Sequence, residues 1–363
     1  MSGPPAIAPV LVPHGACLAG CPYCEEEPRS DTWDLLCDPV AITEAVDRVL
    51  DRRLAQGHEP QAVEVAFYGG DLWQVPRELR TELLDAAEWE VRRGRASGIR
   101  ITLSPRSVLR APLAEFRARG VHTVEVPIHT LDRRVLRNLG ASYKPRMGLE
   151  AIGRLNRARF RTVVHLTPGL PGSSHQSALQ TADAVARARP QAARVLPALV
   201  LEETRLAAIY ERSSWEPMNI DEAVTTVRHV LDRLRQEEVE VIRVGLQPEN
   251  DLLRGPRLLA GPFSDDFRCR VESERMRVLA VDTLTSAFAL GRRDFTFAVH
   301  PREESWLRGI SNVNVRLLKE QFRLEALRIL PSEEQPEGQL RVFAGELDEV
   351  PPLPPRRRAK RAS

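Results

Sequence analysis

The chain has 363 residues, 42% of them hydrophobic and 28% charged, the balance of a soluble globular protein with room for one large α/β domain and a smaller one. A net charge of +2 makes no global commitment to nucleic acid, and no apolar run approaches the length of a membrane span, so no membrane partner is expected. The opening residues lack the basic start of a signal peptide, and with clustered cysteines a reducing cytoplasm is the expected setting.

Residues 6–12 read as a short buried strand ending at Pro13, and the cysteine loop Cys17-Leu18-Ala19-Gly20-Cys21-Pro22-Tyr23-Cys24 follows directly. Asp38 then caps a helix with Pro39 at its first position, and its apolar period runs through Ile42, Val46 and Leu50. Further strands are predicted at 62–67, 99–103, 123–128, 162–166, 194–200 and 239–246. Helices are predicted near 76–93, 113–119, 133 onward, 148–159, 176–187 and, capped by Asp221, up to about 236. Strands alternating with helices at this spacing imply βαβ units and a parallel sheet. About six units are visible, fewer than a closed eight-unit barrel needs, so the expected fold is α/β, a partial (β/α)6 parallel barrel over residues 1–255.

Residues 251–265, rich in Gly, Pro and Leu, read as a crossover. A small α+β C-terminal domain is expected over 256–347. It has a helix or strand through 272–281, strands at 295–299, 324–330 and 340–343, and a helix–turn–helix around Gly309. The Pro/Arg-rich residues 348–363 read as a disordered tail.

Three thiols within eight residues need a reason. A disulfide leaves one over. A structural zinc site wants four ligands, which Cys37 or His14 would complete. A cubane iron–sulfur cluster uses cysteine thiolates on its irons, and three cysteines would hold three irons and leave the fourth open. Cys37 and Cys269 stand apart and read as small buried residues. Tyr68-Gly69-Gly70-Asp71, Ser104, His129 and Pro168-Gly169-Leu170 all follow predicted strand ends. That is the edge where parallel α/β sheets gather their active sites. Each has a plain alternative: a glycine turn, a Ser turn before Pro105, a satisfied histidine, a rigid proline turn. Arg161 and His165 lie on a strand whose facing the sequence does not give, and Tyr210 is a weak pocket candidate.

The C-x3-C-x2-C spacing with Tyr23 before the last cysteine resembles that of the radical S-adenosyl-L-methionine (SAM) superfamily. The wider pattern is similar to the radical SAM domain of the Elongator catalytic subunit, in bacterial members without the acetyltransferase domain. CLAGCPYC, AFYGGD, VEVPIHTLDRRVL, VVHLTPGLPG, RVLPALVLEETRLAAIY and EVIRVGLQPENDLL carry the likeness over about residues 7–253. It implies a 4Fe-4S cluster on Cys17, Cys21 and Cys24 as metal ligands and catalytic centre. It also implies SAM bound near Tyr23, Tyr68, Gly69, Gly70, Asp71, Ser104, His129, Pro168, Gly169 and Leu170. Reductive cleavage of SAM to a 5′-deoxyadenosyl radical would follow, with an external one-electron donor. The chain departs from those relatives at Ser104-Pro105-Arg106-Ser107, where they carry Thr-Arg-Pro-Asp. It has His129 in place of their Gln, and Ser173 in place of an acidic residue. No acetyl-CoA site is visible.

The substrate stays open among RNA such as a tRNA base, a small metabolite or peptide, and no substrate at all in a non-catalytic iron–sulfur protein. Leu307-Arg308-Gly309-Ile310-Ser311-Asn312-Val313 resembles the GXXG loop of a KH module, which clamps a nucleic-acid backbone, with Asn312 at the second glycine. That stretch, Arg316 and the basic tail are the features that point to RNA.

Overall fold

The computed structural model describes residues 5–12, 21–23, 39–55, 63–246, 258–287 and 291–345, and the chain divides into two units, 1–265 and 266–363. Cys17, Cys24, Cys37 and the tail 348–363 lie outside the described residues. In unit 1 the strands are β1 (Ala6–Val12), β2 (Val63–Gly69), β3 (Gly98–Thr102), β4 (Val121–His129), β5 (Arg161–Leu166), β6 (Ala192–Val195), β7 (Val200–Leu201), β8 (Glu240–Val244) and β9 (Leu258–Ala260). Seven form one sheet in the order β1-β2-β3-β4-β5-β6-β8, every neighbour parallel. This is the α/β partial parallel barrel expected from the alternation of elements.

The strands carry two different faces. Val65, Phe67, Ile99, Ile101, Val124, Val126, Ile128, Val164 and Val195 are buried apolar side chains, and Ile128 packs against Gly148 of the helix Pro145–Arg157. Burying each such side chain contributes about 1.5–3 kcal/mol. The alternate positions on the same strands are polar: Glu64 and Tyr68, Arg100 and Thr102, Glu125, His165 and Arg194. Period-two alternation puts these on the opposite face.

The helix Ile220–Gln236 shows how local sequence sets an element. Asn219 accepts from the Asp221 and Glu222 amides, and Glu222 reaches back to the Asn219 amide, a complete capping box. The cap is therefore Asn219, with the predicted cap Asp221 in the first turn. Ala223, Val224, Val227, Val230, Leu231 and Leu234 are buried at helical spacing. The predicted strand at 194–200 is two pieces. Pro197 has no amide hydrogen for a ladder, so β6 stops at Val195 and the chain leaves the large sheet. It resumes as β7, paired antiparallel with β9.

Unit 2 opens with the helix Phe267–Ala287, so 272–281 is helical. Cys269, expected to be buried, is exposed, because the first turn of this helix buries Phe267 and Val271 instead. β10 (Asp294–Val299) is central, parallel to β11 (Ala326–Pro331) and antiparallel to β12 (Arg341–Ala344). Between β10 and β11 run the helices Glu304–Arg308 and Val313–Gln321. Phe295, Phe297, Val299, Leu307, Leu318 and Leu284 form the core of this unit. No helix among the described residues is long and apolar enough to cross a membrane.

Candidate active site

At the C-terminal edge of the large sheet lies a cavity of about 400 Å3. Cys21, Tyr23, Tyr68, Gly69, Asp71, Ser104 and His129 line it, with an apolar wall of Leu196, Pro197, Leu199, Leu201 and Leu246. Seven residues proposed from sequence for the cluster and SAM thus share one wall. Gly70 sits behind it, its amide donating to the Val12 carbonyl at 2.7 Å. Pro168, Gly169 and Leu170 do not line the cavity. Leu170 belongs to a buried apolar cluster, and a Cβ on Gly169 would lie 2.6 Å from Met218 Cε. That glycine answers a side-chain approach.

The strand ends shape this wall. Gly69 has φ +100, and a Cβ there would lie 2.3 Å from the Val12 carbonyl, so only glycine lets the chain turn off β2 against β1. Asp71, 4% exposed, caps the turn Leu72–Gln74 by accepting from Trp73 N. Its second oxygen accepts from Ser104 N at 3.1 Å and Ser107 Oγ at 2.6 Å. Burial pushes the Asp71 carboxyl up despite these bonds. Ser104 Oγ accepts from Ser107 N and so caps the short helix Pro105–Val108. Both side chains face the cavity while holding the ends of β2 and β3 together.

Cys21 Sγ lies 3.6 Å from His129 Nε2. The Tyr23 ring meets the His129 ring edge-on, with centroids 6.2 Å apart. Tyr23 O accepts from Leu199 N at 3.4 Å, and burial pushes its phenol far up, so it stays protonated. Tyr210, the weak sequence candidate, packs edge-on to Trp215 beside that cluster.

Below the cavity the strands hold an ionic layer that the sequence reading missed. Arg100 pairs with Glu64 and Glu125, both at 2.6 Å. Arg194 donates to Glu125 Oε1 and to Tyr68 O, each at 2.9 Å. His165 Nε2 donates to Glu125 Oε2 at 2.5 Å. Burial alone would raise the Glu125 carboxyl, but His165, Arg194 and Arg100 outweigh it and hold the group well below the usual carboxylate range. The Tyr68 phenol is pushed up by burial and by Glu125. The signal available in sequence was a charged residue at an inward position on five adjacent strands. His165 and Tyr68 also line the cavity, whereas Arg161 lies outside it and pairs with Glu240.

A family model described as the radical SAM superfamily matches residues 11–185, and one described as a radical SAM C-terminal domain matches 190–277. An uncharacterized protein of Methanocaldococcus jannaschii is 20% identical over 217 residues, covering 59% of this chain and 66% of that protein. The structure is similar to the archaeal Elp3 of Methanocaldococcus infernus, with a TM-score of 0.61 at 16% identity, over 75% of this chain and 63% of that one. It is also similar to HydG, a maturase of the FeFe-hydrogenase, with a TM-score of 0.50 at 13% identity, over 73% and 54%. At these identities the structural likeness concerns the fold. The chain spans less than two thirds of each of these relatives.

Proposed function

Because the chain belongs to the radical SAM superfamily, whose members are enzymes that bind a 4Fe-4S cluster and SAM, we propose that Cys17, Cys21 and Cys24 hold that cluster and that the cavity beside Cys21 receives SAM. The observation that carries this reading is Cys21 facing a 400 Å3 cavity at the C-terminal sheet edge, beside Tyr23, Gly69, Asp71, Ser104 and His129. The donor chemistry fits: a soft sulfur ligand, Cys21, borders the volume.

With cluster and cofactor bound, the site supplies one-electron reductive cleavage of SAM to a 5′-deoxyadenosyl radical, the electron coming from an external donor. The chain's own residues supply binding, orientation and exclusion of water. Gly69 gives the turn its close approach, and Asp71 and Ser104 lock the ends of β2 and β3. Leu196, Leu199, Leu201 and Leu246 keep solvent from a reactive species. Tyr68 and His165 reach the cavity from the ionic layer, where they would orient a polar substrate group. RNA is the substrate class we favour, supported by the strand–helix–loop–helix–strand order of β10 to β11 around Gly309–Asn312 in unit 2.

Anaerobic reconstitution with iron and sulfide, then dithionite and SAM, tests the central claim. The expected result is 5′-deoxyadenosine from the wild type and none from Cys21→Ala. A chain that assembles a cluster without cleaving SAM points to a binding protein. Uptake of zinc in place of iron overturns the reading.

A further inference from the structure

Both ring nitrogens of His129 are committed. Nε2 faces Cys21 Sγ at 3.6 Å and Nδ1 faces Thr167 Oγ1 at 2.9 Å, with the residue 9% exposed. We propose that His129 donates a hydrogen bond to the Cys21 sulfur and thereby sets the reduction potential of the cluster, with Thr167 orienting the ring. The proposal rests on the cluster reading above.

The direction of the hydrogen bonds follows from the chemistry of the ligand. A cysteine bound to iron is a thiolate and has no proton to give, so the contact needs the hydrogen on Nε2. A neutral imidazole then has Nδ1 as its acceptor, and the Thr167 hydroxyl must donate to it. Thr167 is held from a second side, because its amide donates to the His129 carbonyl at 2.8 Å. The relay therefore runs from Thr167 Oγ through the imidazole to Cys21 Sγ and leaves no ring nitrogen for SAM.

The backbone is bent to make this contact. Register between β4 and β5 slips between Pro127 and His129, and His129 takes φ +56, in the left-handed region. Such an irregularity re-aims one side chain. The Ile128 carbonyl at the slip accepts from the Tyr143 hydroxyl and from Thr130 N, which fixes the bend. A strained, doubly anchored histidine beside a cluster cysteine is hard to account for as packing alone. Hydrogen bonds to cluster sulfurs neutralise part of the charge that builds up on reduction, and so raise the potential. The Tyr23 ring, edge-on at 6.2 Å, shields the contact from water and strengthens it.

The test is potentiometry of the reconstituted full chain under anaerobic conditions, following the reduced cluster by electron paramagnetic resonance with no SAM present. His129→Leu removes the donor and is expected to shift the midpoint to a more negative value. Thr167→Val leaves the imidazole but removes its anchor, and should shift it the same way by less. His129→Gln restores an N–H and should recover part of the shift. Midpoints equal to wild type in both His129→Leu and Thr167→Val, at equal iron content, overturn the proposal and leave the cluster standing. Should His129→Leu fail to hold iron, Thr167→Val decides by the same criterion. A wild type that takes up no iron overturns the cluster reading, and this proposal with it.

Discussion

Glu125 is the residue on which the interior of unit 1 turns. Its side chain is fully buried and meets Arg100, Arg194 and His165. Removing one member of a buried ionic group leaves the others uncompensated, which costs about 3–5 kcal/mol. Glu125→Gln is therefore expected to lose stability of that order, measured by denaturant unfolding. The sign of the pH dependence follows from the depressed carboxyl. The unfolded Glu titrates near about 4.3, so the stabilisation is fully present above that value. It drains away as pH falls toward the lower folded value. The variant should show a flatter acid limb in stability against pH, and an unchanged limb would mean that other carboxylates dominate it. Asp71 works the other way, since burial raises its carboxyl in the fold. Cys21 and the strand-end residues that line the cavity with it were legible because each has a chemically unusual side chain or a glycine at a turn. The ionic layer was not, because Glu64, Arg100 and Glu125 look like surface charges until the sheet curls around them.

At the level of elements, alternation and capping residues in the sequence were enough to place the parallel strands and most helices. The misses have local causes. Pro197 splits a predicted strand, and Asn219 outcompetes Asp221 because its side chain reaches two amides. Pro168-Gly169-Leu170, read from sequence as a ligand turn, lies off the Cys21 cavity, and its glycine accommodates Met218, a contact made by a distant segment. The loop of unit 2 follows the same logic of close approach. Gly309 has φ +70, and a Cβ there would lie 2.8 Å from Cγ of Asn314. Asn314 is buried and donates to the Ser273 and Trp306 carbonyls. Gly309→Ala should cost about 1–3 kcal/mol through the disfavoured backbone and the displaced amide, read as a lowered unfolding transition. An unshifted transition would show that the loop relaxes without Asn314. Ser311 and Asn312 also hold positive φ, at 52° and 59°, an unusual density of strain for a simple connection.

Across the whole molecule, the large unit carries the family's fold while the small one carries the question of substrate. If RNA is bound through the loop at Gly309, its phosphates would be met by Arg308 and Arg316 on the flanking helices. Retention of single-stranded RNA should then weaken steeply with salt and be lost in a double Arg308→Glu, Arg316→Glu variant, measured by filter binding. Equal retention in wild type and variant would redirect the search toward a small metabolite or a peptide. Sequence could raise this possibility from Gly309 but could not weigh it, because Asn312 breaks the motif.

The antiparallel pair of β7 and β9 lies outside the large sheet, but it has a bearing on how residues 21–23 are held. Gly261, just past β9, lies so close to Ala198 and Leu199 that a Cβ would collide with them. The Leu199 amide holds the Tyr23 hydroxyl, and the Leu206 amide holds the Pro22 carbonyl at 3.0 Å. The short segment 258–261 thus acts as a clasp on a hasp: it pins 198–201, which with Leu206 pins the residues next to Cys21. A chain ended after β8 would retain every strand of the large sheet and still release that clasp. If Cys21 holds the cluster as proposed, the hold on iron depends on residues spread along the chain, from Cys21 near one end to a ribbon far beyond it.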